Sequence, residues 1–592
     1  MRALLVAINA KYSHTNLALR YLKNMIINQN VEVELREFTI NQNTNYILAE
    51  IYKTQADTIC FSCYIWNIDL VLTLCKTLKK IRPDIVIVLG GPEVSYEIEN
   101  MMSNNDFIDI VLAGEAEKSY QLLMDALETD SDYSEIQGIS YRAKGSVHQN
   151  PIFKSVFPMS ELPFPYKEGL PEKDRIIYYE ASRGCPFNCQ YCLSSTDVGV
   201  RYLPLERIKK ELLIFINAGV RQVKFIDRTF NADKNIALEI MKFLVNNNNN
   251  LTNFHFEITA DIMDDEMLSY LKNIPKGLFQ FEIGVQSTNE KTLQEIDRIM
   301  TFAKISSVVS TILGYNNIHL HLDLIVGLPH EDFFSFRKSF DDVFALRPNK
   351  LQIGFLKMLK GSKLRKESEK YGYIFNENAP YEIIQNKDIN FRDLISIKGI
   401  EEMVEIYWNS RQFNSVIKAI LHNFYSSQFN FFNDLYVFWE KSGYHHKLHS
   451  KNKLFEIIYE FYLEMSFDKK HVFLELLKYD YLKSTKTSSL PAFMNRIEEK
   501  SFKNKCHEYL QTKENVTLYL PAFTNLSAKQ IVKKVHFEQF NYDVHKINEF
   551  PAMLLKGEKS KIVILFDYNV AKREVANSKN FILIGFENKK EV

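Results

Sequence analysis

At 592 residues the chain is too long for one hydrophobic core, and length alone implies about three or four domains. Its 73 basic residues balance 73 acidic ones, so no overall charge draws it to nucleic acid or to an anionic membrane, although a local basic groove is compatible with that balance. Seven cysteines do not make a disulfide framework, and no apolar run reaches the ~18 residues of a membrane span.

Residues 1–135 alternate strand and helix. Arg2–Ile8 reads as a buried strand, because Asn9 and Lys11 end its apolar run too early for a signal peptide. An amphipathic helix over Asn16–Ile27 follows, then strands at Val31–Glu37, Thr58–Tyr64, Ile85–Leu89 and Asp109–Leu112, with a helix at Leu70–Lys80. This rhythm predicts an α/β fold, a Rossmann-like doubly wound parallel sheet, whose ligands bind beyond the carboxyl ends of the strands. Those ends read Ser62-Cys63-Tyr64, Gly90-Gly91-Pro92-Glu93 and Ala113-Gly114-Glu115. Cys60 and Cys63 form C-x-x-C within a strand, where they point to opposite faces; with Cys75 they read as core thiols. Residues 136–169 read as a linker with a short strand at Gly138–Tyr141 and two stiffening prolines in Leu162-Pro-Phe-Pro-Tyr166.

Residues 170–365 carry a longer repeat. Strand candidates are Ile176–Ala181, Gln222–Ile226, Asn253–Thr259, Leu278–Val285, Ile318–Val326 and Lys350–Leu356, with helical patterns between them, including one broken pattern over Thr292–Leu313. Six strands with intervening helices predict an open (β/α)6 barrel, in which chemistry collects at the carboxyl ends of the strands. After the first strand comes Arg183-Gly-Cys-Pro-Phe-Asn-Cys-Gln-Tyr-Cys-Leu-Ser194, with Cys185, Cys189 and Cys192 spaced C-x3-C-x2-C. A disulfide uses two thiols, and structural zinc closes on four ligands. A [4Fe–4S] cube held by three thiolates leaves one iron open. A three-cysteine zinc site with a distant fourth ligand is the competing reading. The remaining strand ends are polar: Asp227-Arg228-Thr229, Glu257-Ile-Thr259-Ala-Asp261, Gln286-Ser287 with Arg298 further on, and Asp323 before Gly327-Leu-Pro329. Singly, each reads as a turn or cap residue; together they suit a ligand with hydroxyls, an ammonium and a carboxylate. His319 and His321 share a strand face, as a metal pair or as part of a half-buried polar face.

Residues 370–592 read as a mainly helical domain, with helices at Glu401–Phe413, Ser415–Phe424, Leu454–Phe467 and Lys470–Tyr481. Aromatics at helical spacing predict core packing, although mixed lysine and aromatics also suit a nucleic-acid groove. A small terminal α/β part follows, with strands expected at Val516–Leu520, Ile562–Phe566 and Phe581–Phe586, and Cys506 reads as an isolated thiol.

The cysteine stretch resembles the signature of the radical S-adenosylmethionine (SAM) superfamily. Ser62 followed by Gly90-Gly91 resembles the order seen in cobalamin-binding domains, although the D-x-H-x-x-G mark is absent and His14, in the matching loop, lacks the expected neighbours. The C-terminal part resembles an uncharacterised domain attached to one group of cobalamin-binding radical SAM proteins, which suggests a cap that reads the substrate. The resemblance implies a radical SAM barrel with a [4Fe–4S] cluster on Cys185, Cys189 and Cys192. It implies SAM contacts from Phe187, Tyr191, Asp227, Arg228, Thr229, Glu257, Gln286, Arg298 and Asp323. It implies cobalamin at Ser62, Tyr64, Gly90, Gly91 and Gly114, with no histidine of this chain on the cobalt. One departure is that Asp-Arg-Thr replaces the usual glycine-rich turn after the second strand. The implied activity is cobalamin-dependent methyl transfer to an unactivated carbon or phosphorus centre, with a flavodoxin or ferredoxin as electron donor. An oxygen-sensitive cluster implies the reducing cytoplasm, away from membranes. Rival readings are a radical SAM enzyme for rearrangement without methyl transfer, an RNA methylthiotransferase-like enzyme, and a non-catalytic iron–sulfur protein.

Overall fold

A strand covered on both faces reads as one apolar run, and Ala3–Ile8 is such a run: in β1 (Arg2–Asn9) every residue after Arg2 is buried. In the computed structural model, which describes residues 1–152, 157–172, 175–196, 199–487, 489–497, 501–569 and 579–582, this strand lies inside a seven-stranded sheet. Its other strands are β2 (Glu32–Thr39), β3 (Thr58–Ser62), β4 (Val86–Gly90), β5 (Ile110–Leu112), β6 (Ile139–Ala143) and β7 (Ser146–Gln149). The order is β2-β1-β3-β4-β5-β6-β7, with the first five strands parallel and the last two antiparallel. Alternate residues feed two separate cores, Leu4, Val6 and Phe61 on one face, Leu5, Ala7 and Cys60 on the other, as a doubly wound sheet requires. Cys63 and Cys75 belong to the first core, so the C-x-x-C pair does split across the sheet. The strand order reverses between β1 and β3, the switch point at which such sheets bind ligands. The segment read as a linker contributes β6 and β7 to this sheet before the chain crosses onward.

The barrel strands are β8 (Ile177–Tyr179), a hairpin of β9 (Ser182–Cys185) and β10 (Gly199–Tyr202), then β11 (Gln222–Phe225), β12 (Asn253–Ile258), β13 (Phe279–Gln286), β14 (His319–Val326) and β15 (Lys350–Phe355). All six expected strands form; β14-β13-β12-β11-β8 run side by side and parallel. Along β13 and β14, burial alternates strictly. Phe279, Phe281, Ile283, Leu320, Leu322 and Leu324 are buried against the helical layer, while Gln280, Glu282, His319 and His321 keep half-open positions on the other face. Side-chain caps start the helices: Asp233 accepts the N–H groups of Asn235 and Ile236, and Asp264 that of Met267. The pattern over Thr292–Leu313 divides into Glu290–Glu295 and Phe302–Tyr315, with Asp297 in the left-handed region at φ 54° between them.

The structure separates into two units, 1–332 with 354–391, and 333–353 with 392–592. The second is mainly helical. Phe340 and Phe344, on helix Phe333–Ala345, meet Phe432 of helix Gln428–Lys441 at ring separations of 6.0 and 5.5 Å, so the aromatics are core as their spacing implied. The expected strand Val516–Leu520 is instead part of helix Lys513–Tyr519 and its cap. A short, mostly apolar run satisfies either period, and here Val516 and Leu520 share one buried face at helical spacing. Antiparallel strands at Val535–Phe540, Ile562–Asp567 and Lys579–Ile582 complete this unit. Residues 583–586 of the last expected strand lie outside the described residues. Among the described residues no helix is long and apolar enough to cross a membrane.

Candidate functional site

The cysteine loop is the tip of the β9–β10 hairpin. Gly184 is left-handed at φ +96°, and a Cβ there would run into the carbonyl of Gly199 on the opposite strand, so only glycine closes the hairpin. The loop docks through Gln190: its N–H donates to Ile296 O (3.0 Å) and its Nε2 to Glu295 O (2.6 Å) and Asp297 Oδ2 (2.9 Å). The break in the 290–315 pattern is therefore a seat for this loop. Cys185 Sγ lies 3.6 Å from Thr229 Oγ1, Arg298 Nη1 lies 3.6 Å from Cys189 Sγ, and the N–H of Ser194 donates to Cys192 Sγ at 3.4 Å. All three sulfurs open on one cavity. Among the described residues no three Cys, His, Asp or Glu side chains converge as a single metal ion demands. Thiols that share a cavity without meeting at a point suit a cube, which spreads its ligands over several irons. Burial pushes the Cys189 thiol up, with Arg298 opposing it.

That cavity is also walled by Phe187, Tyr191, Arg228, Thr229, Glu257, Gln286, Arg298 and Asp323, so eight of the nine residues read as SAM contacts come together there. Asp227 does not. It is 1% exposed, and its carboxylate accepts the N–H of Ala181 (3.0 Å) and the hydroxyl of Ser182 (2.5 Å). It is turned into the interior rather than onto the cavity wall, and it ties the end of β8 to the end of β11; burial pushes its carboxyl up to about 7. Ser194, Thr259, Asp261, Glu282, Gly284 and Met300 line the cavity as well. Glu282 and Gly284 share the face of Gln286 at two-residue spacing, a signal the sequence held.

Gln286 carries the clearest mark of a binding role. It adopts φ 69° at a bulge on β13, a conformation costly for a residue with a side chain. Its Oε1 is buried and accepts no hydrogen bond from the protein. A Cβ at Gly284 would collide with its Nε2, so Gly284 is what lets the amide fold over the cavity. The fit is to a ligand that brings a donor, such as an ammonium or a hydroxyl. Arg298 is fixed by Gly284 O, Tyr191 OH (3.3 Å) and Met300 Sδ (2.8 Å). On the barrel face below, Glu282 is pulled down to about 2: burial works against this, but His255 at 3.0 Å and Lys224 at 3.3 Å outweigh it. His319 and His321 join this polar face; Gln280 Nε2 lies 3.2 Å from His321 Nε2.

A second, larger cavity of about 1530 Å³, open mouth included, sits at the carboxyl ends of β3, β4 and β5. Ser62, Tyr64, Gly90, Gly91 and Gly114 all line it, as do Ser95, Tyr96, Glu117 and Arg183. Gly91 is left-handed at φ +111°, and a Cβ there would lie 2.5 Å from Cys63 O, so this glycine lets the loop fold onto β3. Ser62 Oγ accepts from Asn16 Nδ2 at 3.1 Å. Arg183 is held by Glu180 (2.7 Å) and Glu117 (2.6 Å). Three adjacent strand ends beside the switch point, with hydroxyls beside exposed backbone, fit a large ligand fringed with amides. His14 opens on a third cavity of about 940 Å³, open mouth included, with Asn9, Tyr64, Trp66, Tyr178, Glu180 and Glu257. There Tyr64 and Trp66 stack 4.3 Å apart at 7°. Arg228, an exposed guanidinium, lines all three cavities.

Three family models tile the chain: a B12 binding domain over residues 3–123, the radical SAM superfamily over 179–343, and a protein family of unknown function, DUF4080, over 369–566. An uncharacterized methyltransferase of Pyrococcus horikoshii is 27% identical over 268 residues, 44% of this chain and 58% of its own length. The cobalamin-dependent radical SAM methyltransferase TokK of Streptomyces tokunonensis is 26% identical over 307 residues, 48% of this chain and 44% of its own. The chain thus spans about half the length of the curated relatives it matches. Among solved structures, the cobalamin-dependent SAM radical enzyme OxsB with aqua-cobalamin bound superposes with a TM-score of 0.55 at 15% identity, over 94% of this chain and 84% of that one, a likeness of fold. The chain thus matches the B12 binding domain and the radical SAM superfamily in the same order as the two cavities lie along the sequence.

Proposed function

We propose that this protein is a radical SAM enzyme that uses cobalamin to methylate an unactivated carbon or phosphorus centre. Cys185, Cys189 and Cys192 would hold a [4Fe–4S] cluster that would supply one-electron reduction of SAM, and the second cavity would hold a corrinoid that would supply methyl-transfer chemistry. The protein's own residues bind, orient and exclude water. Gln286 Oε1 and Glu257 accept from the ammonium and hydroxyls of SAM; Arg298, already aimed by Gly284 O and Tyr191, answers its carboxylate. Phe187 and Tyr191 cover the cluster side of the cavity. The methyl acceptor occupies the third cavity, against the stacked Tyr64 and Trp66 and Tyr178. A radical route asks for no acid–base pair there. A flavodoxin or ferredoxin supplies the electrons, in the cytoplasm.

The observation that carries this reading is Arg228, shared by the thiol-bearing cavity, the strand-end cavity and the space between them. A methylthiotransferase-like reading needs a second thiol cluster, but Cys60 and Cys63 lie in opposite cores, and burial pushes Cys60 up to about 12. The test is anaerobic reconstitution with iron, sulfide and hydroxocobalamin, followed by SAM and dithionite. Formation of 5′-deoxyadenosine together with a corrinoid spectrum that survives gel filtration is the expected result. Deoxyadenosine without retained corrinoid would overturn the cobalamin half, and no deoxyadenosine would overturn the enzyme assignment.

A further inference from the structure

After the last barrel strand, the segment Met358–Lys366 touches both loops that front the cofactor cavities. On one side, the N–H of Leu364 donates to the carbonyl of Gln190 at 3.0 Å, between Cys189 and Cys192. On the other, Lys360 Nζ lies 2.9 Å from the carboxylate of Glu93, which also accepts the hydroxyl of Tyr381. Arg365 reaches Glu97 at 3.4 Å and stacks over the Tyr381 ring at 4.8 Å. Gly361, left-handed at φ +86°, sits so close to the ring of Tyr96 that any Cβ would strike it. Tyr96 and Gly91, which bracket Glu93, line the strand-end cavity.

Glu93 is only 5% exposed, so losing Lys360 or Tyr381 would leave a buried carboxylate short of partners. The segment is also tied back to the barrel. Met358 N–H donates to Tyr381 O at 2.9 Å; Tyr373 OH and Asn386 Nδ2 both donate to Gly327 O, at 2.8 and 3.1 Å. Contacts therefore run without a break from the loop at Gly91–Glu97 through Lys360, Gly361 and Arg365 to Leu364, and from there to the peptide of Gln190.

We propose that Met358–Lys366 is a strap that couples the two cofactor cavities, with Lys360, Tyr381 and Glu93 as positioning residues. Corrinoid bound beside Gly91 and Tyr96 steadies the strap and thereby the cysteine loop, and a bound cluster steadies the corrinoid loop in return, since coupling between two sites is reciprocal. The proposal rests on the cobalamin reading above.

The test uses the full chain, reconstituted with cluster, with and without hydroxocobalamin. Iron loss to a chelator is followed in wild type, in Tyr381→Phe, in Lys360→Met with Tyr381→Phe, and in Lys360→Arg. Cobalamin is expected to slow iron loss in wild type by about fivefold or more. That protection should shrink in Tyr381→Phe, vanish in the double variant and persist in Lys360→Arg, while each cofactor still binds by itself. A purely structural role would speed iron loss equally with and without corrinoid and leave the ratio unchanged, which overturns the proposal. Should the double variant fail to fold, as judged by its apo melting curve, Tyr381→Phe removes one hydroxyl only and decides the matter. A wild type that retains corrinoid but gains no protection overturns the strap alone. A wild type that retains no corrinoid overturns the cobalamin reading, and the strap with it.

Discussion

The two cofactor cavities are built in opposite ways. The cavity of the cysteine loop is made by side chains: three thiols, a fixed guanidinium and a strained glutamine gathered from five strand ends. The strand-end cavity instead bares backbone at Gly90, Gly91 and Gly114, with Ser62, Tyr64, Tyr96 and Arg183 around it. Side-chain sites are lost atom by atom, whereas backbone sites are lost when the chain path changes. The two should respond differently to the same class of substitution.

The largest effect is expected at the thiols. Cys189→Ala should abolish cluster loading and deoxyadenosine formation, measured as iron per chain and by chromatography, and leave the strand-end cavity able to take up corrinoid. Loss of both cofactors together would break the contrast. Next comes Gly91→Ala. With φ +111° and a Cβ placed 2.5 Å from Cys63 O, it should cost about 1–3 kcal/mol in urea unfolding and empty the corrinoid site, whereas Gly90→Ala, whose Cβ would meet only Leu112 at 3.6 Å, should do far less. Equal effects at the two glycines would show that the cavity is not shaped by chain path.

Gln286→Leu sharpens the other side. It keeps the volume and removes the buried acceptor, so SAM should bind roughly tenfold more weakly at unchanged iron content, read by equilibrium dialysis. Asp227→Asn is expected to alter pH dependence more than function. Burial raises the carboxyl from 3.8 to about 7, so the stability this group contributes is fully present below about pH 4 and fades as pH rises toward 7. Wild type should therefore lose stability relative to the variant across that interval, followed as urea midpoints. Parallel curves would return Asp227 to the cavity wall.

Much of this arrangement was legible in the residues. Cys185, Cys189 and Cys192 are close in sequence, so their shared role needed no fold. The strand ends were found because burial on both faces leaves a continuous apolar run that stops where the sheet stops, as at Ala3–Ile8. Arg298 was singled out as a ligand contact, but the seat beside it was not: the broken helix around Asp297 holds the cysteine loop through Gln190, a contact across more than a hundred residues. Val516–Leu520 went astray because a five-residue run with four apolar or aromatic members fits either period until its neighbours choose one.

The sequence by itself determined the chemistry, since thiol spacing, glycine pairs and polar strand ends are local facts about which atoms are present. Only the tertiary structure decided the address of each group. It turned Asp227 inward to hold β8, left Gln286 with an unmet acceptor, and brought Arg228 to the meeting of three cavities. Neighbouring residues on one strand end face opposite ways, and which face meets the ligand is set by the strands beside them, not by the letters themselves.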